Sequence, residues 1–366
     1  MNQKPLPFDL KYYEIGYLIL LGLAFYYSGS EFRASQVPII HASPWVLFEA
    51  AVLGGVVILA GRCRTEFQLL PNKAFFFTLF IAWVALFTFL GNATLGYVHS
   101  SSLFAWMFDT YTSPDSDAGY GLLIPFAVLG LFAWKAKELV ARPLEIWWPA
   151  MFFIASALVL HIVGEAIQET QLSAVGFFMG LYGLTGLAWG KNWLKTSFFP
   201  YFLLGFCIPL GGALDGFTFR LRLLVSWIVA GIAHLGLSPD LVREGTQLFD
   251  AQHTFAYEVA AACSGIHSLV ALLALTSIYG FVTFKTPWKR AVLIASAVPL
   301  AVLGNVMRLC FTIMVAELGG QSAGKAVETK TGLVTFAVAI GCMYLIARWM
   351  EKSEPKNEPP VELATS

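Results

Sequence analysis

Apolar stretches separated by short polar or charged segments set the rhythm of this chain. Runs near 12–29, 43–60, 74–98, 120–134, 146–163 and 172–189 are each long enough, or nearly so, to cross about 30 Å of hydrocarbon as helices. The second half is less regular. The run at 197–211 is short and broken by Pro200 and Pro209, 217–237 carries Arg220 and Arg222 near its start, and a polar stretch fills 238–258. Apolar runs at 263–284, 291–311 and 332–349 follow. The pattern predicts an all-α, polytopic integral membrane bundle.

Composition sharpens this picture. Of 366 residues, 57% are hydrophobic and 13% charged, with no net charge. Soluble domains carry about 25% charged residues. Without a Lys/Arg cluster, nothing points to nucleic acid. The five cysteines, Cys63, Cys207, Cys263, Cys310 and Cys342, have neither paired nor metal-ligand spacing, so neither a disulfide framework nor a metal site is expected. No cofactor is called for. Tryptophans such as Trp45, Trp106, Trp147 and Trp148 sit near predicted interfaces, where anchoring explains them.

Charge asymmetry orients the spans. Arg62, Arg64 and Lys73 follow the second run, Lys135, Lys137 and Arg142 the fourth, and Lys191 and Lys195 the sixth. These loops, and with them the N-terminus, belong in the cytoplasm. The first residues, MNQKPLPFDLKYYE, carry charge up to an apolar run and lack a small-residue cleavage site, so the first run is read as a retained span rather than a signal peptide. The segment from 98 to 119, with Asp109, Asp115 and Asp117 and no Lys or Arg, falls outside. Lys285, Lys289 and Arg290 make the loop after 263–284 cytoplasmic and leave 238–258 external. Only one of 197–211 and 217–237 then crosses. The arginines favour 217–237, leaving the proline-broken run re-entrant or interfacial. The expectation is about ten transmembrane helices, both termini cytoplasmic, and a polar, disordered tail.

Reactive groups converge near the outer face. At about 1.5 Å per residue, Cys263 lies about 33 Å from Lys285, Arg308 about 27 Å from Arg290, and Glu328 about 30 Å from Arg348. Cys263 stands in the small-residue stretch 255–268 (FAYEVAAACSGIHS), which permits close approach of another backbone; the plainer reading is a buried membrane cysteine. Arg308 sits in an apolar run one turn after Asn305. An arginine there costs at least about 2.5–3.5 kcal/mol on insertion scales, so it faces a polar cavity or snorkels to the surface. Beside a thiol it would hold the thiolate and donate to a developing oxyanion. His267, four residues after Cys263, would on a helix share its face and accept the thiol proton; a histidine bonded between helices is the alternative. His253 and Glu258 are explained by solvation, and Glu14, Glu49, His99, His161, Glu165 and Asp215 are given no role.

Together these residues resemble the exosortase/archaeosortase family of membrane transpeptidases. Cys-Ser-Gly-Ile at 263–266, preceded by Glu-Val-Ala at 258–260, is joined by Asn-Val-Met-Arg at 305–308 ending a proline-containing run. Ile208-Pro209, the run from Leu221 and the segment 236–248 are similar to the approach to the cysteine in that family. The resemblance covers roughly 196–350 and divides the chain into N-terminal membrane helices (1–195), a catalytic core (196–350) and a disordered cytoplasmic tail (351–366). It implies a cell-membrane cysteine protease and transpeptidase whose active site faces the outside or periplasm. The implied partners are envelope proteins ending in a short motif such as Pro-Glu-Pro, one transmembrane helix and a basic end. Cys263 is carried over as the nucleophile, forming a thioester, and Arg308 as its electrostatic partner. The family's third residue is a histidine; the matching stretch 326–332 has none and offers Glu328. Either Glu328 or His267 is then the base, or the chain binds without cutting. The competing functions are a non-catalytic receptor for tail-anchored partners and a small-solute transporter with Asn305 and Arg308 lining its path. No inverted repeat supports the latter.

Overall fold

Apolar side chains on every face of most segments leave the helix as the main way to satisfy the backbone away from water. The computed structural model describes residues 44–92, 101–113, 118–209, 215–237, 241–249, 256–258 and 266–352. The predicted first span at 12–29 and the tail from 353 lie outside them. The chain divides into two compact units, Met1–Leu210 and Gly211–Ser366.

The first unit contains α1 (Pro44–Arg62), α2 (Arg64–Leu69), α3 (Lys73–Leu90), α4 (Leu103–Thr112), α5 (Ile124–Val140), α6 (Met151–Ile167), α7 (Thr170–Trp189) and α8 (Lys191–Leu204). Helix α7 lies at its centre, and close approach along it depends on missing Cβ atoms. A methyl at Gly180 would stand 1.9 Å from the Trp83 ring, and one at Gly176 would stand 2.8 Å from the Ala157 carbonyl oxygen. Interior polar groups are paired: Trp83 Nε1 donates to the Phe177 carbonyl at 3.1 Å, His161 Nδ1 meets Ser173 Oγ at 3.0 Å, and Thr170 Oγ1 donates to Asn92 Oδ1 at 3.0 Å.

The second unit contains α9 (Asp215–Ile232), a five-residue π-turn (Ala233–Leu237), a small sheet, α10 (Ile266–Thr283), α11 (Pro287–Ala295), α12 (Ala297–Gly319) and α13 (Gln321–Lys352). The α11–α12 break at Ser296 has a local cause. Pro299 has no N–H to give the Ala295 carbonyl, so one regular hydrogen bond is lost there. At the same end, buried Lys289 donates to the Met350 carbonyl at 2.9 Å, where a cation suits the C-terminus of α13. One apolar cluster joins α10 to α13 through Leu269, Leu272, Leu300, Ala301, Ala339 and Met343. Another joins α9, the sheet and α12 through Val225, Val229, Leu248, Val306, Leu309 and Ile313.

The membrane reading holds, with several local differences. Among the described residues, seven helical stretches are long and apolar enough to cross: Pro44–Arg62, Lys73–Leu90, Trp148–Ile167, Thr170–Trp189, Gly216–Leu235, Pro287–Gly319 and Val334–Lys352. The run read at 120–134 becomes α5, which shifts forward to take in Lys135, Lys137 and Glu138 and is not among the seven. The proline-broken run forms the 14-residue α8 with Pro200 inside, and it too is too short. The external loop read at 98–119 contains α4, whose Ser102 caps the Ala105 N–H and whose Leu103, Phe108 and Tyr111 are buried. The polar stretch 238–258 is the largest departure from all-α: it holds β1 (Val242–Glu244), β2 (Gln247–Phe249) and β3 (Ala256–Glu258).

Candidate active site

Four residues stand out in the sequence, and the second unit positions the elements that carry them. Arg308 lies in the middle of α12, half-buried. Its guanidinium rests against α13 at Gly332, where an added methyl would stand 3.7 Å from Nη1 and 3.8 Å from Cζ. The contact is one step in a close helix pair. A methyl at Gly304 would lie 3.6 Å from the Thr335 carbonyl oxygen, and one at Gly324 would lie 2.8 Å from Ala316 Cβ. Small residues let the helices approach, and the absent side chain at 332 leaves room for a planar cation.

Glu328 is on α13 one turn before Gly332, and so on the helix side that meets Arg308; its side chain lies outside the description. α13 is 32 residues long, about 48 Å at 1.5 Å per residue, and exceeds the hydrocarbon thickness. It is continuous through 321–352, where the apolar pattern alone marked 332–349.

His267 is the second residue of α10, and its side chain is likewise not described; Cys263 lies outside the described residues. The helical relation assumed between them crosses that gap. Gly280 of α10 meets α11, with an added methyl 3.7 Å from Arg290 Cα. Leu269 and Leu272, early in α10, are buried in one cluster with Leu300 and Ala301 of α12, on the helix that carries Arg308.

The sheet approaches the same helix. Its antiparallel order is β1-β2-β3, with Glu244 opposite Gln247 and Gln247 opposite Glu258. Gly245, at φ +63°, takes the first central position of the two-residue hairpin turn, where L-residues are strained. That turn is pinned to α9: Ser226 Oγ donates to the Gly245 carbonyl at 3.0 Å, as does Arg243 Nη1. Leu248 is fully buried with Leu309 and Ile313 of α12. β3 therefore ends at Glu258, five residues ahead of Cys263, in a sheet packed on the helix that carries Arg308.

Asn305 and Thr312 flank Arg308, about one turn to either side. They are 6% and 3% exposed, and Asn305 Nδ2 and Thr312 Oγ1 are buried with no hydrogen-bond partner among the described residues. Thr312 was not among the residues the sequence pattern marked, although its spacing of four from Arg308 was a usable signal. Ser226 and Arg243 carried no such signal, because the contact between them spans 17 residues.

The remaining groups offer less. Of the described cysteines, all free, Cys207 is buried and Cys310 and Cys342 are partly buried in helices. Burial pushes the Cys63 thiol above its ordinary pKa and Glu66 adds to this, with Arg62 opposing; Cys63 is not an activated thiol. A cavity of about 360 Å³ in the first unit is lined mainly by apolar side chains such as Phe48, Phe80, Leu129 and Phe177. No group of three or more potential metal ligands occurs among the described residues.

Compared with known proteins, residues 106–345 match the family model described as transmembrane exosortase, about two thirds of the chain. The match reaches well ahead of 196, where the sequence resemblance was drawn. No curated protein and no solved structure matches the chain.

Proposed function

Because the chain belongs to the transmembrane exosortase family, we propose that it is a multi-pass cysteine transpeptidase of the cell membrane that removes C-terminal sorting signals from envelope proteins. Cys263 is the nucleophile and Arg308 its electrostatic partner. The observation that carries this reading is the setting of Arg308: an intramembrane guanidinium against α13 at Gly332, one turn after Glu328. An arginine within a membrane run is costly to insert and by default marks a functional site.

The chemistry follows from these groups. The thiol gives its proton to a base, leaving the thiolate as the nucleophile. Sulfur attacks the scissile carbonyl carbon, the C–S bond forms, and the carbonyl electron pair moves to oxygen, where Arg308 opposes the charge. Collapse breaks the C–N bond, and the leaving amine takes the proton back from the base. The thioester is then resolved by an amine, giving transfer, or by water, giving hydrolysis. His267 on α10 and Glu328 on α13 are the two candidate bases, one on each helix bordering the Arg308 level. An ionised Glu328 beside the thiol raises the cysteine's pKa unless Arg308 offsets it.

In this reading the chain has about ten spans, counting 12–29, with both termini cytoplasmic, the catalytic core at 196–350 and the site facing the outside or periplasm. Substrates carry a short motif, a transmembrane helix and a basic end. The test is the size of a tagged host protein with a Pro-Glu-Pro-type signal, co-expressed with the intact chain or with Cys263→Ala. Removal of the tail only with the intact thiol supports the enzyme. An uncut substrate, with both proteins inserted, would falsify it and leave a receptor or transporter.

A further inference from the structure

Buried polar groups without partners are rare because each costs about 1–3 kcal/mol, and they persist where something outside the chain completes them. Asn305 Nδ2 and Thr312 Oγ1 are two such groups on one helix, with Arg308 between them. At about 100° per residue the three fall within about 60° of one another. This side of α12 takes in the contacts with α13: Arg308 meets Gly332, and the Thr312 carbonyl oxygen would lie 3.5 Å from a methyl at Gly324. Val306, Leu309 and Ile313, by contrast, turn toward α9 and the sheet.

We propose that Asn305 and Thr312 bind the main chain of the peptide being cut, one on either side of Arg308. This rests on the transpeptidase reading and adds two substrate-contacting residues to it. Seven residues of helix separate them by about 10.5 Å, the length of about three residues of extended peptide at 3.3–3.4 Å each. Asn305 Nδ2 is a donor, so it takes a carbonyl oxygen. As the thiolate adds to the scissile carbon and the electron pair moves to that oxygen, the amide donates into the growing charge beside the Arg308 cation. The Thr312 hydroxyl, which both donates and accepts, takes the next main-chain group further out. Neither residue gains or loses a proton, so the covalent balance is unchanged.

The near-isosteric replacements Asn305→Leu and Thr312→Val separate a substrate-binding role from a structural one. Each removes an unsatisfied polar group, so if the peptide is the missing partner the free protein keeps or raises its melting temperature in detergent. Initial cleavage rates of the tagged co-purified substrate fall at the same time, about 100-fold for Asn305→Leu and about 5- to 10-fold for Thr312→Val. Asn305→Gln, which retains the donor, recovers part of the loss. If the intact chain cuts and both apolar variants cut at its rate, the inference is overturned and the transpeptidase reading stands. It is overturned in the same way if activity falls only in step with a lowered melting temperature, which marks a structural role. If the intact chain does not cut, both fall together.

Discussion

The two units differ in how they treat polar groups within apolar surroundings. In the first, nearly every such group is answered from within the unit. Trp83 reaches the Phe177 carbonyl, Trp189 the Pro71 carbonyl, His161 the Ser173 hydroxyl, and Tyr201 the Thr185 hydroxyl. Among the described residues, Trp193 Nε1 is the exception. In the second, the side of α12 that meets α13 carries an arginine flanked by Asn305 Nδ2 and Thr312 Oγ1, both buried and without a partner among the described residues. Satisfied groups fix a structure, and unsatisfied ones hold capacity for a ligand. The contrast suits the proposed division, scaffold in the first unit and chemistry in the second, although the family match begins at 106 and takes in part of both.

Mutations test that contrast. Arg308→Ala has the largest expected effect, a loss of about 10²–10³ in cleavage rate with little change in thermal stability, read from initial rates and melting of the same preparation. Next is Gly332→Leu: the side chain displaces the guanidinium, and the rate drops about 10- to 100-fold. Gly332→Ala is the control. Its methyl meets Arg308 at the ordinary distance of 3.7 Å, so the rate stays within about threefold. In the first unit the signature reverses. Gly180→Ala drives a methyl into the Trp83 ring, which its hydrogen bond to Phe177 keeps in place, and costs about 1–3 kcal/mol. Melting falls while the rate per folded molecule holds. His161→Leu strands the fully buried Ser173 hydroxyl and costs about 1–2 kcal/mol with the same unchanged rate. Ser226→Ala, which frees the hairpin turn from α9, is the smallest, at about 1 kcal/mol. A drop in the rate per folded molecule for Gly180→Ala or His161→Leu would break the division between scaffold and chemistry.

Much of this was legible because it is local. Apolar runs are helices wherever the membrane leaves the backbone no other partner, and Arg308 stands out in sequence because an unprotected cation is costly there. Counting back from Arg348 to Glu328 assumed a continuous helix, and α13 is unbroken over that stretch. The pattern was less exact at 120–134, where the helix runs on to Val140, and at 98–119, which contains a short helix. Apolar content alone does not tell a crossing helix from one that ends among lysines, or reveal a short helix capped by Ser102. The sheet was missed because strands of three residues show no period, and their pairing joins Gln247 to Glu258 across a long loop.

The sequence by itself determined the class of the protein, a helical membrane bundle, and named a thiol, an arginine and two candidate bases, since composition and one-dimensional spacing carry that information. Only the tertiary structure decided which helix faces which. It set Arg308 against Gly332, Leu248 of the sheet with Leu309, and Leu269 of α10 in one cluster with Leu300 and Ala301 of α12. These contacts follow from close packing between segments far apart in the chain.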